Sequence, residues 1–142
     1  MNFDIREFTA KDIDQAIVLW RSCEGIGLSA ADEPAMLESY LRRNPELSFT
    51  AWHDSELIGA VLCGHDGRRG FLHHLAVHPG YRRQGIGQAL VSRCHSALQE
   101  IGIQKVHIFV YHDNSSALAF WKGEKYIPRD ELVLLSADII DQ

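Results

Sequence analysis

The chain has 142 residues, 46% of them hydrophobic and 23% charged, the size and balance of one globular domain with a continuous core. Its formal charge of −5 argues against general nucleic-acid binding, which shows a basic excess, and suits a cationic substrate or plain solubility. No apolar run approaches the roughly 20 residues of a membrane span.

Residues 1–7 carry no basic start and no apolar leader core. Cys23, Cys63 and Cys94 make neither a disulfide framework nor a CxxC pair. A reduced, cytoplasmic location without a membrane partner is therefore expected.

Residues 3–8 read as a first strand. Thr9 is placed to cap the helix that follows, with Asp12 favouring its positive end. Ile13, Ala16, Ile17 and Trp20 give that helix an apolar face, and it ends near Cys23. Residues 24–31, with Gly25 and Gly27, form a loop. Asp32 is expected to cap a second helix, with Pro34 in its first turn and Met36, Leu37, Tyr40 and Leu41 inward. Residues 48–53 and 56–64 are strands joined tightly at Asp54-Ser55. The segment 65–70 is a turn. Residues 71–77 are a strand apolar on both faces, which predicts a central strand covered on each side. A helix over 85–101 turns Ile86, Leu90, Cys94, Ala97, Leu98 and Ile101 inward, and Gly102 is placed to end it in the left-handed conformation. Residues 106–111 are a strand, 114–122 a short helix, and 126–135 a strand closing the sheet. With no linker or repeat, this order describes one α/β domain over 1–142, with a mixed β-sheet flanked by helices.

The most informative stretch joins the strand 71–77 to the helix at 85. It reads Val77-His78-Pro79-Gly80-Tyr81-Arg82-Arg83-Gln84-Gly85-Ile86-Gly87-Gln88. Gly85 and Gly87 let the backbone bend and let a bulky anion approach. Free N–H groups and the positive end of the helix favour phosphate there, with Arg82 and Arg83 beside it. A pyrophosphate suits the turn. The dinucleotide pattern G-x-G-x-x-G/A fails at Leu90, and its acidic residue is replaced by His107. The Gly-Lys-Ser/Thr of a P-loop is absent. HExxH and other metal spacings are also absent, so no metal is expected.

Arg82-x-x-Gly85-x-Gly87 resembles the Q/R-x-x-G-x-G/A signature of GNAT acetyltransferases, and Leu75-Ala76-Val77 is similar to their usual strand ending. Asn114-x-x-Ala117-x-x-Phe120-Trp121 resembles the family's second cofactor motif. The resemblance implies a GNAT-like fold in which the strand 71–77 carries a bulge and splays from 106–111, leaving a gap for the pantetheine arm of acetyl-CoA. It implies that Leu75, Ala76 and Val77 bond the pantetheine and thioester, and that Arg82, Arg83, Gln84, Gly85, Ile86, Gly87 and Gln88 form the pyrophosphate turn. Asn114 would bond the pantetheine chain, with Ala117 and Phe120 packed near it. The implied activity is transfer of acetyl to an amine of a small molecule, peptide or protein by direct attack, in a monomer or homodimer. The alternative is a non-catalytic acyl-CoA-binding sensor. Trp121 stands where many members have a Tyr that protonates the leaving thiolate, and Lys125 replaces the glycine before the closing aromatic.

For acid–base work the candidates are His73 and His74, expected on opposite sides of their strand, because histidine titrates near neutrality. Core or groove packing is the ordinary role of such residues. Tyr111 is a candidate substitute acid or a packed aromatic, and Glu24 a candidate base or a solvated loop carboxylate. Trp20 and Trp52 read as core.

Overall fold

The computed structural model describes residues 2–140. These fall in two compact units that divide between Phe109 and Val110.

In the first unit, strands β1 (Asp4–Glu7), β2 (Phe49–His53), β3 (Glu56–His65), β4 (Gly70–Val77) and β5 (Val106–Ile108) form one sheet in chain order. Each neighbouring pair from β1 to β4 is antiparallel, and β5 lies parallel to β4, which makes the mixed sheet that the sequence predicts. Helices α1 (Ile13–Arg21) and α2 (Pro34–Arg43) come between β1 and β2, and α3 (Ile86–Glu100) between β4 and β5.

Local chemistry sets the helix ends. The Asp12 carboxylate accepts from the Thr9 N–H at 2.9 Å, closing a capping box over a short 3₁₀ turn before α1. At the end of α3, Ile103 N–H donates to Leu98 O and Gly102 N–H to Gln99 O, both at 3.0 Å, with Gly102 at φ +85°. This double closure needs a left-handed residue, and glycine adopts it without steric cost. Asp32 does not cap α2. That position belongs to Glu33, and Asp32 instead closes a capping box with Ser29 over the 3₁₀ turn Ala30–Asp32.

Two cores flank the sheet. Ala60 and Leu62 of β3 pack with Ile13, Ala16, Ile17, Trp20 and Leu37 of α1 and α2. The alternate positions serve α3: a Cβ at Gly59 would lie 3.1 Å from Leu90 and 3.2 Å from Ile86, so that glycine seats the helix close on the strand. Met36 and Ile101, expected inward, are more than half exposed at the ends of their apolar stripes. The strand buried along nearly its whole length is β3, whereas β4 alternates between buried and half-buried residues, contrary to the two-sided cover that its apolar sequence suggests.

The reason lies in how β4 pairs. Ala76 faces Ala60 and His73 faces Leu62, so the single residue Val61 opposes both His74 and Leu75. This is a β-bulge, and His74 takes φ +55° within it. For a non-glycine residue that conformation costs about 1–2 kcal/mol. The indole N–H of the fully buried Trp20 donates to the His74 carbonyl at 2.7 Å and holds the bulge in place. On its other edge β4 pairs with β5 at only Gly70–Val106, Phe71–His107 and Leu72–Ile108. The strand expected over 106–111 stops at Ile108.

The second unit contains α4 (Ser115–Gly123), capped by Asn114. Trp121 is buried there, edge-on to Phe120 and Tyr126 at 5.1 and 4.8 Å between ring centres. The closing strand expected over 126–135 is not formed among the described residues. Its residues have strand-like composition but no neighbouring ladder to complete their hydrogen bonds, and Ile127, Val133 and Leu135 stay at least 80% exposed.

Replacing Trp20 with Phe keeps most of the apolar surface and removes the donor to the His74 carbonyl. The expected loss is about 1–3 kcal/mol of unfolding free energy, because a part-buried carbonyl loses its donor and the smaller ring leaves a cavity. Urea titration of parent and variant measures it.

Candidate functional site

Pairing between β4 and β5 ends at Leu72, so residues 73–77 have no strand partner on the β5 side. Main-chain groups left free on such an edge are ready to bond an extended ligand chain, the carbonyls of His74 and Val77 excepted, which accept from Trp20 and Arg82. Leu75, Ala76 and Val77, the residues assigned to that task by resemblance, lie on this open stretch. The fork and the bulge that the resemblance implies are both present.

The edge runs into the glycine-bearing turn. The His78 Nδ1 accepts from Gly80 N–H at 3.0 Å, capping the 3₁₀ turn Pro79–Tyr81. The Tyr81 hydroxyl donates to Glu56 at 3.1 Å, and that hydrogen bond raises the Tyr81 pKa. Arg82 donates through Nε to the Val77 carbonyl at 3.0 Å, so this motif arginine braces the turn against the end of β4. Arg83 and Gly85 both take positive φ, +64° and +81°, and between them the chain reverses into α3. No side chain caps α3, and Ala89 N–H is bonded back to Gly85 O at 3.0 Å. The N–H groups of Ile86, Gly87 and Gln88 in the first turn precede it and have no carbonyl one turn back to bond. Arg83, Gln84 and Gly85 are exposed around that helix end. Ile86 contributes only its backbone, since its side chain is buried in the core. An uncapped helix N-terminus flanked by arginines is a site for phosphate groups.

A second cluster lies where β4 and β5 part. His73 and His74 do not point to opposite sides. The extra residue in the bulge resets the alternation, and both rings lie on the α1–α2 side with centres 6.4 Å apart. His74 packs edge-on to Trp20 at 5.2 Å, and its Nε2 lies 3.0 Å from Asp32 Oδ1. The other oxygen of Asp32 accepts from Ser29 N–H at 3.0 Å. His73 sits between Tyr40 of α2, at 6.2 Å, and Phe109, at 6.3 Å. Burial first, then the neighbouring His74, pushes the His73 pKa below its ordinary value, against the opposing pull of Asp32. The Tyr40 hydroxyl is buried without a hydrogen-bond partner. Burial, then Cys63 and Cys94, raises its pKa far above the tyrosine norm.

Asp32 is the functional candidate that the sequence reading misses. Its local signal, Ser29-x-x-Asp32, is a capping box, and one oxygen does serve that box. The other reaches a histidine 42 positions away, which no local pattern announces. Glu24 is exposed on the loop after α1. Among the described residues, no group of three or more His, Cys, Asp or Glu side chains is arranged to hold a metal.

In the second unit, Asn114 Oδ1 accepts from Ala117 N–H at 3.1 Å and from the Ser116 hydroxyl at 3.2 Å, which caps α4. Tyr111 is 59% exposed, and its carbonyl accepts from Asn114 N–H.

Residues 13–124 match the model of the acetyltransferase (GNAT) family. An acetyltransferase of Sodalis glossinidius is 33% identical over 139 residues, covering 97% of this chain and 96% of that protein. The PaiA N-acetyltransferase of Thermoplasma acidophilum, solved with coenzyme A, shares the fold at a TM-score of 0.78 and 21% identity, over 87% of this chain and 89% of that one. An aminoglycoside acetyltransferase from an uncultured soil metagenomic sample, solved with sisomicin, does so at 0.77 and 19%, over 97% of each chain. The chain belongs to the GNAT acetyltransferase family and is an acyltransferase.

The unpartnered Tyr40 hydroxyl gives a direct test of the cluster's packing. Tyr40→Phe removes a buried polar group that bonds nothing. Stability should stay level or rise by up to about 1 kcal/mol, where loss of a made hydrogen bond would lower it by a similar amount. Thermal unfolding of the two proteins distinguishes these outcomes.

Proposed function

We propose that the protein transfers the acetyl group of acetyl-CoA to a primary amine by direct attack. The observation that carries this reading is the continuity of two binding features. The unpaired edge at residues 73–77 leads straight into the uncapped, arginine-flanked start of α3. A ligand with an extended amide chain at one end and a pyrophosphate at the other fits that sequence of groups, and acetyl-CoA is such a ligand.

On this reading Leu75, Ala76 and Val77 bond the pantetheine arm through their main chain. Arg83, Gln84, Gly85, Ile86, Gly87 and Gln88 hold the pyrophosphate, the isoleucine through its N–H alone. Arg82 keeps the turn in place. A backbone N–H on the open edge stabilises the oxyanion that forms as the amine adds to the thioester. Fixing both reactants along one strand removes most of the cost of a bimolecular encounter. The thiolate, with a reference pKa of about 8.5, leaves without a strong acid, so Trp121 need not supply a proton. The net charge of −5 favours a cationic acceptor.

Acetyl-CoA at 100 times its dissociation constant should stabilise the fold by about 2.7 kcal/mol, raising the melting temperature by about 5–10 °C. Gly87→Asp, which sets a negative charge in the first turn of α3, should abolish that rise while leaving the unliganded melting point close to the parent's. Gly85→Asp is the poorer probe, because φ +81° strains any side chain there. An unchanged melting curve in the parent, with no heat of binding, refutes the reading.

The acceptor is found by following release of CoA thiol with a linear diamine, sisomicin and a five-residue peptide bearing a free α-amine. With the best of these, Trp121→Phe should keep most of the parent's turnover. Its complete loss, with acetyl-CoA still bound, would give the indole a specific role.

A further inference from the structure

The Asp32–His74 pair has a geometry that packing alone does not require. His74 stands in the bulge, at the first residues of β4 beyond its last rung with β5, where the open edge begins. Its Nε2 is fixed 3.0 Å from a carboxylate that is itself anchored by the Ser29 N–H, and the two side chains are 17% and 10% exposed. A carboxylate accepts only, so Nε2 carries the hydrogen of this bond. In the neutral ring Nδ1 is then the basic nitrogen. Building this arrangement requires a left-handed histidine, held through its carbonyl by Trp20.

We propose that Asp32 is a positioning residue that holds His74 as the proton acceptor for the attacking amine. The proposal rests on the acetyl-transfer reading above. The amine lone pair forms a C–N bond to the thioester carbonyl carbon, the C–S bond breaks, and its electron pair leaves on the thiolate. The surplus proton of the amine nitrogen passes to His74 Nδ1 and from there to water or the thiolate. As the C–N bond forms, the nitrogen loses its basicity and gives up its surplus proton readily to a nearby imidazole nitrogen. Asp32 fixes the tautomer and stabilises the imidazolium. Among the described residues no carboxylate is hydrogen-bonded to His73, which lies between Tyr40 and Phe109. The groups around His74 are Asp32 from the 3₁₀ turn, Trp20 from α1, and His73 on its own strand, with Tyr40 of α2 beyond it.

The test measures turnover against pH with acetyl-CoA and the best amine of the panel, for the parent, His74→Asn, Asp32→Asn and Asp32→Glu. Asparagine is chosen at 74 because it tolerates positive φ. His74→Asn should lower kcat by about 100-fold and erase the acidic limb of the kcat/KM profile, with acetyl-CoA affinity unchanged. Removing the anion in Asp32→Asn takes away the charge that stabilises the imidazolium and moves the acidic limb to lower pH, with a fall in kcat. Asp32→Glu should restore part of both.

A His74→Asn enzyme with the parent's kcat and limb overturns the proposal and leaves the transfer reading intact. A limb unmoved in Asp32→Asn overturns the role of Asp32, and decides the matter alone if His74→Asn fails to fold. A parent that binds acetyl-CoA but acetylates no amine of the panel refutes the transfer reading and the pair together.

Discussion

One hydrogen bond organises this fold, from the buried indole of Trp20 to the carbonyl of His74. The bulge it stabilises places one more residue on β4 than β3 can match. That extra residue bends β4 and locally increases its twist, which suits a strand that parts from β5 after three rungs. It also turns two consecutive histidines to the same side of the sheet. A polar cluster and an open strand edge are thereby brought to one place, by a residue in a conformation that a regular strand would avoid. The cost of that conformation is offset by the burial of Trp20, which is fully enclosed by the α1–α2 core.

The other half of the site depends on an omission. Serine, threonine, asparagine and aspartate are the preferred side chains for satisfying the first N–H groups of a helix, but α3 begins at a left-handed glycine that offers none. Those donors are held by a helix whose Ile86 and Leu90 are locked onto β3 through the gap at Gly59. On the proposed reading, donors anchored by that packing leave less ordering cost to be met on binding.

Much of this was legible in the sequence because it is local. The Thr9–Asp12 box, the closure of α3 at Gly102 and the turn at Gly85 each follow from a few adjacent residues and their backbone preferences. The positions that resisted reading depend on partners far along the chain. His73 and His74 look like alternating strand residues until Val61 is seen to oppose two positions instead of one. Asp32 has the chemistry of a cap for α2 but stands one residue before that position, and its second oxygen serves a histidine that no spacing rule connects to it. The strand expected over 126–135 failed for the opposite reason. Its composition favours extension, but a strand exists only where another strand completes its ladder. The family resemblance anticipated the bulge and the fork, which composition and periodicity did not.

The exposed apolar tract at residues 132–135 has a consequence for how the protein behaves at high concentration. Four consecutive large aliphatic side chains without a ladder are the kind of segment that pairs with copies of itself. Asp130 and Glu131 precede the tract, Glu131 paired with Arg129 at 3.4 Å, and Asp138 follows it, so carboxylates flank it on both sides. Flanking carboxylates of this kind act as gatekeepers, because stacking such tracts in register would also stack their charges. Salt, by screening the repulsion between such carboxylates, weakens that protection.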